Sequence, residues 1–213
     1  MKFQLPCAAA AVCLALFGSA AFAQQNAVKV GAILYQAHSR SNGISGIGVP
    51  PGADADVGSA TTLLFTYERM LTPEIGVEFV LGVPPTIRAK ATGSVAFLGD
   101  DVLSAKNIAP TLLVNYHFGA VGDTFRPYVG AGINYTKFAS IKSKLAPNVE
   151  MSDSTGLAFQ LGADYALSKE WGLYASIGKV KVKSKLVASG TTVLTSTINF
   201  RPITYSVGAV FRF

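Results

Sequence analysis

Ile203-Thr204-Tyr205-Ser206-Val207-Gly208-Ala209-Val210-Phe211-Arg212-Phe213 is the stretch that decides the fold. Every second residue (Ile203, Tyr205, Val207, Ala209, Phe211, Phe213) is apolar or aromatic, and the alternate set (Thr204, Ser206, Gly208, Val210, Arg212) is small or polar except for Val210. Successive side chains of a strand point to opposite faces, so strict alternation predicts a strand with one apolar face. A soluble protein would not normally finish such a strand on an exposed aromatic residue. A barrel in lipid would, because its outer wall faces hydrocarbon and its rims carry aromatics.

The same alternation recurs upstream in segments of about ten residues, the length a tilted strand needs to cross a bilayer. Eight segments are predicted: Ala27 to Ala37, Ala60 to Arg69, Ile75 to Val83, Ile108 to Phe118, Arg126 to Phe138, Thr155 to Leu167, Trp171 to about Val187, and about Leu194 to Phe213. Tight turn signals follow the second, fourth and sixth of these: Leu71-Thr72-Pro73-Glu74, a turn with Gly119, Gly122 and Asp123, and Ser168-Lys169-Glu170. The other connections are longer, as the outer loops of an even-numbered antiparallel barrel are. The first holds the Gly/Pro-rich run Ile47 to Gly52, and Val95 to Leu103 is expected to form a short helix after the third strand. The fold class is therefore an all-β, eight-stranded antiparallel transmembrane barrel, in one domain over residues 24–213.

The amino-terminal region agrees. Lys2 supplies a positive charge, Ala8 to Phe17 an apolar stretch, and Ala21-Phe22-Ala23 a small-x-small cleavage site, so residues 1–23 are expected to be a cleaved secretory signal. Cys7 and Cys13 both lie inside it, which leaves the mature chain with no disulfide, thiol nucleophile or sulfur-ligated metal. The chain is 50% apolar and 14% charged, yet no apolar run after the signal approaches the ~18 residues of a spanning helix. Removing Lys2 lowers the formal charge from +6 to +5. Export out of the cytoplasm argues against a nucleic-acid partner.

Ala109-Pro110-Thr111-Leu112-Leu113-Val114-Asn115-Tyr116-His117-Phe118, followed by Phe125-Arg126-Pro127-Tyr128-Val129-Gly130-Ala131-Gly132-Ile133-Asn134-Tyr135-Thr136-Lys137-Phe138, resembles the outer-membrane protein W family. The hallmarks are a P-x-L-x-x-x-Y-x-F strand, a short turn and an R-P-Y-x-G-x-G-x-N-Y-T-x-F strand. Phe65-Thr66-Tyr67 to Gly76-Val77-Glu78, Gly162-Ala163-Asp164-Tyr165 and the closing strand are also similar to it. The resemblance implies a Gram-negative outer-membrane location and a narrow, partly apolar lumen that passes small hydrophobic molecules, with lateral exit into the membrane as one route. It also implies that the closing strand, ending in Phe213, is presented to the barrel-assembly machinery. The reading from a different class is a structural or interaction barrel serving adhesion, stress resistance or lipopolysaccharide packing without flux.

Strand parity sorts side chains into lipid-facing and lumen-facing sets. The lumen or gate candidates are Leu64, Glu68, Glu78, Val80, Leu113, Asn115, His117, Tyr128, Asn134, Gln160, Asp164 and Arg212, with Thr62, Thr66 and Ser176 on the same side. An eight-stranded barrel has an interior that side chains fill or that holds one small ligand. Glu68, Glu78, Asp164 and Arg212 are charges that low-dielectric surroundings penalise unless paired. They form either a polar network that plugs the barrel or a gate on a solute path, with Arg212 expected to meet Glu68 or Glu78. An apolar cavity is expected between Leu64, Val80, Leu113 and Tyr128. Gly130 and Gly132 face inward, where they allow a bend at a tight corner or make room for a bulky partner.

No catalytic residue is assigned, because no nucleophile lies beside an oriented base. His38 and His117 lie on distant segments and make no metal site, and no cofactor is expected. Trp171, Tyr165, Tyr116, Phe118, Phe211 and Phe213 fall at strand ends as an interfacial girdle should. In Lys179-Val180-Lys181-Val182-Lys183-Ser184-Lys185 every other residue is basic and continues the outward face of Leu173, Ala175 and Ile177. Lys137 does the same on its strand, near Lys142 and Lys144. These lysines are expected to meet lipopolysaccharide phosphates. The alternative is a solvated edge that discourages aggregation.

Overall fold

The computed structural model describes residues 25–37, 39–41, 43–144, 148–189 and 193–213. The expected signal segment, with Cys7 and Cys13, and His38 lie outside them. The strands in chain order are β1 (Asn26–Gln36), β2 (Ser39–Ser41), β3 (Ser45–Gly46), β4 (Ala53–Val57), β5 (Ala60–Met70), β6 (Ile75–Gly82), β7 (Thr86–Gly93) and β8 (Leu103–Ile108). They continue as β9 (Thr111–His117), β10 (Phe125–Ser143), β11 (Asn148–Met151), β12 (Ser154–Ala166), β13 (Trp171–Val180), β14 (Val182–Ser189), β15 (Val193–Phe200) and β16 (Ile203–Arg212).

Strands β1, β5, β6, β9, β10, β12, β13 and β16 close into an eight-stranded antiparallel barrel, each paired to the next and β16 back to β1. Closure pairs each strand on both sides, as hydrocarbon requires of the backbone, except where β6 and β9 part beyond Val80 and Thr111. The alternation in the sequence becomes the two faces of the wall. Leu63 (55% exposed) and Val207 (61%) face outward while their neighbours Leu64 and Ser206 are buried. The remaining strands extend the longer connections: β4, β7 and β8 continue from β10, and β2, β3, β11, β14 and β15 form a second sheet.

Three expectations are corrected. The seventh and eighth strands are each broken, at Lys181 and at Arg201-Pro202, because Pro202 has no N–H for the ladder. The fourth strand begins at Thr111 and not Ile108, since Pro110 interrupts it in the same way, and Ile108 ends β8. The helix expected over Val95 to Leu103 is a single 3-10 turn, Ala96–Leu98; Gly99 (φ 78°) and Asp101 (φ 58°) then turn the chain left-handed into β8.

Proline also opens the wall. The β6–β9 ladder runs from Ile75↔Tyr116 to Val80↔Thr111 and stops. Beyond it Leu81 and Gly82 pair only with Phe65 and Leu64 of β5, and Pro84 and Pro110 have no N–H to offer across the gap. The two segments meet again where Asn107 N donates to the Pro85 carbonyl at 3.0 Å.

Candidate functional site

The barrel interior is built in two layers, and the lower one is organised by a residue absent from the sequence-derived set. Lys29 on β1 has 0% of its surface exposed. Its ammonium lies 3.1 Å from Glu68 Oε2, 3.5 Å from Glu78 Oε1 and 3.6 Å from Asp164 Oδ1. The same nitrogen sits over the Tyr128 ring at 4.5 Å and near that of Tyr174 at 5.6 Å, a favourable placement for a desolvated cation. Its parity was readable: Lys29 alternates with Val28 and Val30, which belong to the apolar outer face.

Hydrogen bonds tie the candidate residues to that centre. Asn115 Nδ2 donates to Glu68 Oε1 (2.7 Å) and Glu78 Oε2 (2.9 Å), and His117 Nε2 lies 2.7 Å from Glu68 Oε1. Gln160 Nε2 donates to Glu78 Oε2 and to Asn115 Oδ1 at 2.8 Å. Arg212 pairs with Asp164 at 3.4 Å, a correction to its expected meeting with Glu68 or Glu78. Lys29 takes those two carboxylates. The ion pairs offset the burial of these charges, while Lys29 Nζ, His117 Nδ1 and Asp164 Oδ1 make no hydrogen bond among the described residues. Tyr128 lies tilted against His117, with ring centroids 5.1 Å and ring planes 39° apart, and its ring also faces the Lys29 ammonium.

The upper layer is a cavity of about 100 Å³. Leu64, Val80, Leu113 and Tyr128 all line it, as the parity of their strands requires, and Ile33 and Ala158 add to its apolar wall. The small Thr204 and Ser206 of β16 leave it room, and Ser206 bonds Ser176 at 2.6 Å. Thr66 Oγ1, Asn107 Oδ1 and the Tyr174 hydroxyl lie on its wall, buried and with no hydrogen-bond partner among the described residues. Val80, Asn107, Ala109 and Thr111 bring the cavity to the gap between β6 and β9. Asn134 belongs to that gap more than to a gate. Its Nδ2 donates to Thr111 Oγ1 (2.8 Å) and to the carbonyls of Ala109 and Pro110 (3.3 Å each), which also accept from Thr111 Oγ1 and Tyr135 N.

The interior candidates therefore converge, with Lys29 added to them. Lys137, Lys179, Lys181, Lys183 and Lys185 lie apart, exposed on the outside. The girdle is also assembled: Tyr116 meets Phe118 (5.1 Å), Trp171 meets Phe211 (4.9 Å) and Phe211 meets Phe213 (5.9 Å).

A barrel with an ionic floor under an apolar cavity matches known proteins along its length. The model of the OmpW family fits residues 25–213. The chain belongs to the OmpW family. It is 30% identical over 165 residues to outer membrane protein W of Vibrio cholerae, covering 74% of this chain and 76% of that one. The crystal structure of OprG from Pseudomonas aeruginosa superposes with a TM-score of 0.80 at 27% identity, over 90% of this chain and 96% of that one. The dibenzothiophene metabolism operon protein PahQ of Pseudomonas aeruginosa is 27% identical over 135 residues, 63% of this chain and 62% of that protein. The OmpW-family chain is thus a β-barrel of the Gram-negative outer membrane, set in membrane lipid.

Proposed function

We propose that this barrel admits small, mainly apolar molecules from outside the cell and releases them sideways through its wall. The observation that carries the reading is the position of the cavity, apolar-walled, above the ionic layer and lined by residues that flank the gap between β6 and β9. An apolar solute gains by leaving water for such a cavity but is repelled by the desolvated charges of Lys29, Glu68, Glu78 and Asp164. The gap offers the lower barrier, since hydrocarbon lies on its far side. Dibenzothiophene, for which one relative is named, is a compact aromatic molecule of this class. The unpartnered Tyr174 hydroxyl and Asn107 carbonyl would accept one polar group on such a solute. No reaction is assigned. Residues 1–23 are assigned to export, and β16 with Phe213 to recognition by the assembly machinery.

Uptake of radiolabelled dibenzothiophene by cells carrying or lacking the protein tests the reading. Ala158→Phe, which fills the cavity from β12, is expected to lower the protein-dependent rate about tenfold by overpacking the space a solute needs. Circular dichroism should show an unchanged barrel. Equal uptake with and without the protein would instead favour the non-transporting structural barrel, for which the ion-paired floor speaks.

A further inference from the structure

The lysine row outside the barrel plays no part in solute passage. Lys179 lies near the end of β13, Lys181 sits at the break, Lys183 and Lys185 lie in β14, and all four are exposed. The break preserves parity: Gly172 and Tyr174 before it and Val182 and Ser184 after it are the buried partners. Same-face residues of a strand repeat every ~6.6 Å, so the row runs about 20 Å. Its lower end touches the apolar wall, where Lys179 stands opposite Phe159 and Ile203, one step above Ile177. Lys179 is therefore at the hydrocarbon boundary and the other three climb beyond it.

The row does not guard an edge. β13 lies between β12 and β16, and β14 lies between β11 and β15, so both strands are paired on both sides. Protection against edge-to-edge aggregation consequently has nothing to protect here. Nor do internal counter-charges explain it. Among the described residues no carboxylate lies within 4.0 Å of any of the four ammonium groups. Of the neighbouring acids, Asp153 accepts the Tyr135 hydroxyl at 2.5 Å, and Glu150, opposite Val187, has no lysine within 4.0 Å among the described residues. Four like charges on one face repel one another unless an external anion lies across them. Exposed Arg201 sits beside the row, between the ends of β15 and β16.

We propose that Lys179, Lys181, Lys183 and Lys185 form a ladder for the phosphates of lipopolysaccharide in the surrounding outer leaflet. Lys179 meets phosphate at the headgroup level and the higher lysines meet the phosphorylated sugars above. Lysine suits this task, being a mobile point cation that needs no fixed bidentate partner.

The test measures binding of purified lipopolysaccharide to the folded, detergent-solubilised full chain. Substituting all four lysines by Glu is expected to weaken binding about tenfold or more, whereas Lys169→Glu on the opposite rim leaves it unchanged. A Lys→Gln set at the same four positions provides an insertion-safe version with a smaller loss in the same direction. Dephosphorylated lipopolysaccharide should bind the wild-type chain as weakly as intact lipopolysaccharide binds the Glu set, and added salt should weaken only the wild-type interaction. Unchanged binding in both sets would overturn the proposal. So would full competition by inorganic pyrophosphate, which would show a site for any small anion and not for the lipid.

Discussion

Lys29→Met is expected to be among the most destabilising single changes in the barrel interior, at roughly 3–5 kcal/mol, because it strands buried carboxylates that have no other strong counter-charge. Glu68 and Glu78 are both bonded by the Lys29 ammonium, and Asp164 would keep only its longer 3.4 Å contact with Arg212. Met preserves much of the side-chain length, so the loss reports charge and not a cavity. Urea titration in lipid vesicles, followed by the fluorescence of the single Trp171, gives the number directly. Adding Glu68→Gln and Glu78→Gln to Lys29→Met removes the stranded charge while leaving acceptors for Asn115 and His117. The triple variant should recover more than half of the loss. A Lys29→Met barrel as stable as the parent would mean that the ionic floor holds nothing together.

Much of this was legible in the chain itself. Period-two alternation located every barrel strand and assigned Leu64, Glu78, Asn115 and Tyr128 to the inside, because face is a local property of a strand. Height inside the barrel is not local. It depends on the stagger between neighbouring strands, which alternation does not encode. Alternation could place Arg212 inside but not say which carboxylate it meets: Lys29 takes Glu68 and Glu78, and Arg212 pairs with Asp164. Lys29 was missed for a different reason. A lone lysine between Val28 and Val30 reads as a solvated interruption of a greasy strand, and only the convergence of carboxylates from β5, β6 and β12 gives it a purpose. The breaks at Pro110 and Pro202 were visible as prolines, but continuing alternation on either side hid the change of sheet.

The two inward glycines of β10 should respond very differently to one added methyl group. At Gly132 a Cβ would run into the Leu112 carbonyl and come within 2.8 Å of the Leu113 Cα. Both are backbone of the paired strand β9, and no rotamer change can relieve them. Gly132→Ala must therefore pry β9 from β10 beside the gap, at an expected cost above about 4 kcal/mol. At Gly130 the obstacles are side chains, Asn115 and, at 2.9 Å, Gln160 Cγ. Gly130→Ala should fold, at a cost of roughly 1–3 kcal/mol, by pushing Asn115 off its hydrogen bonds to Glu68 and Glu78. Gel mobility of unheated samples separates folded from unfolded barrel, and planar-bilayer recording reports the floor. The expected pairing is an unfolded Gly132→Ala chain and a folded but ion-leaky Gly130→Ala barrel. A folded Gly132→Ala barrel of parental stability would contradict the close β9–β10 approach, and a tight Gly130→Ala barrel would show that the floor seals without Asn115.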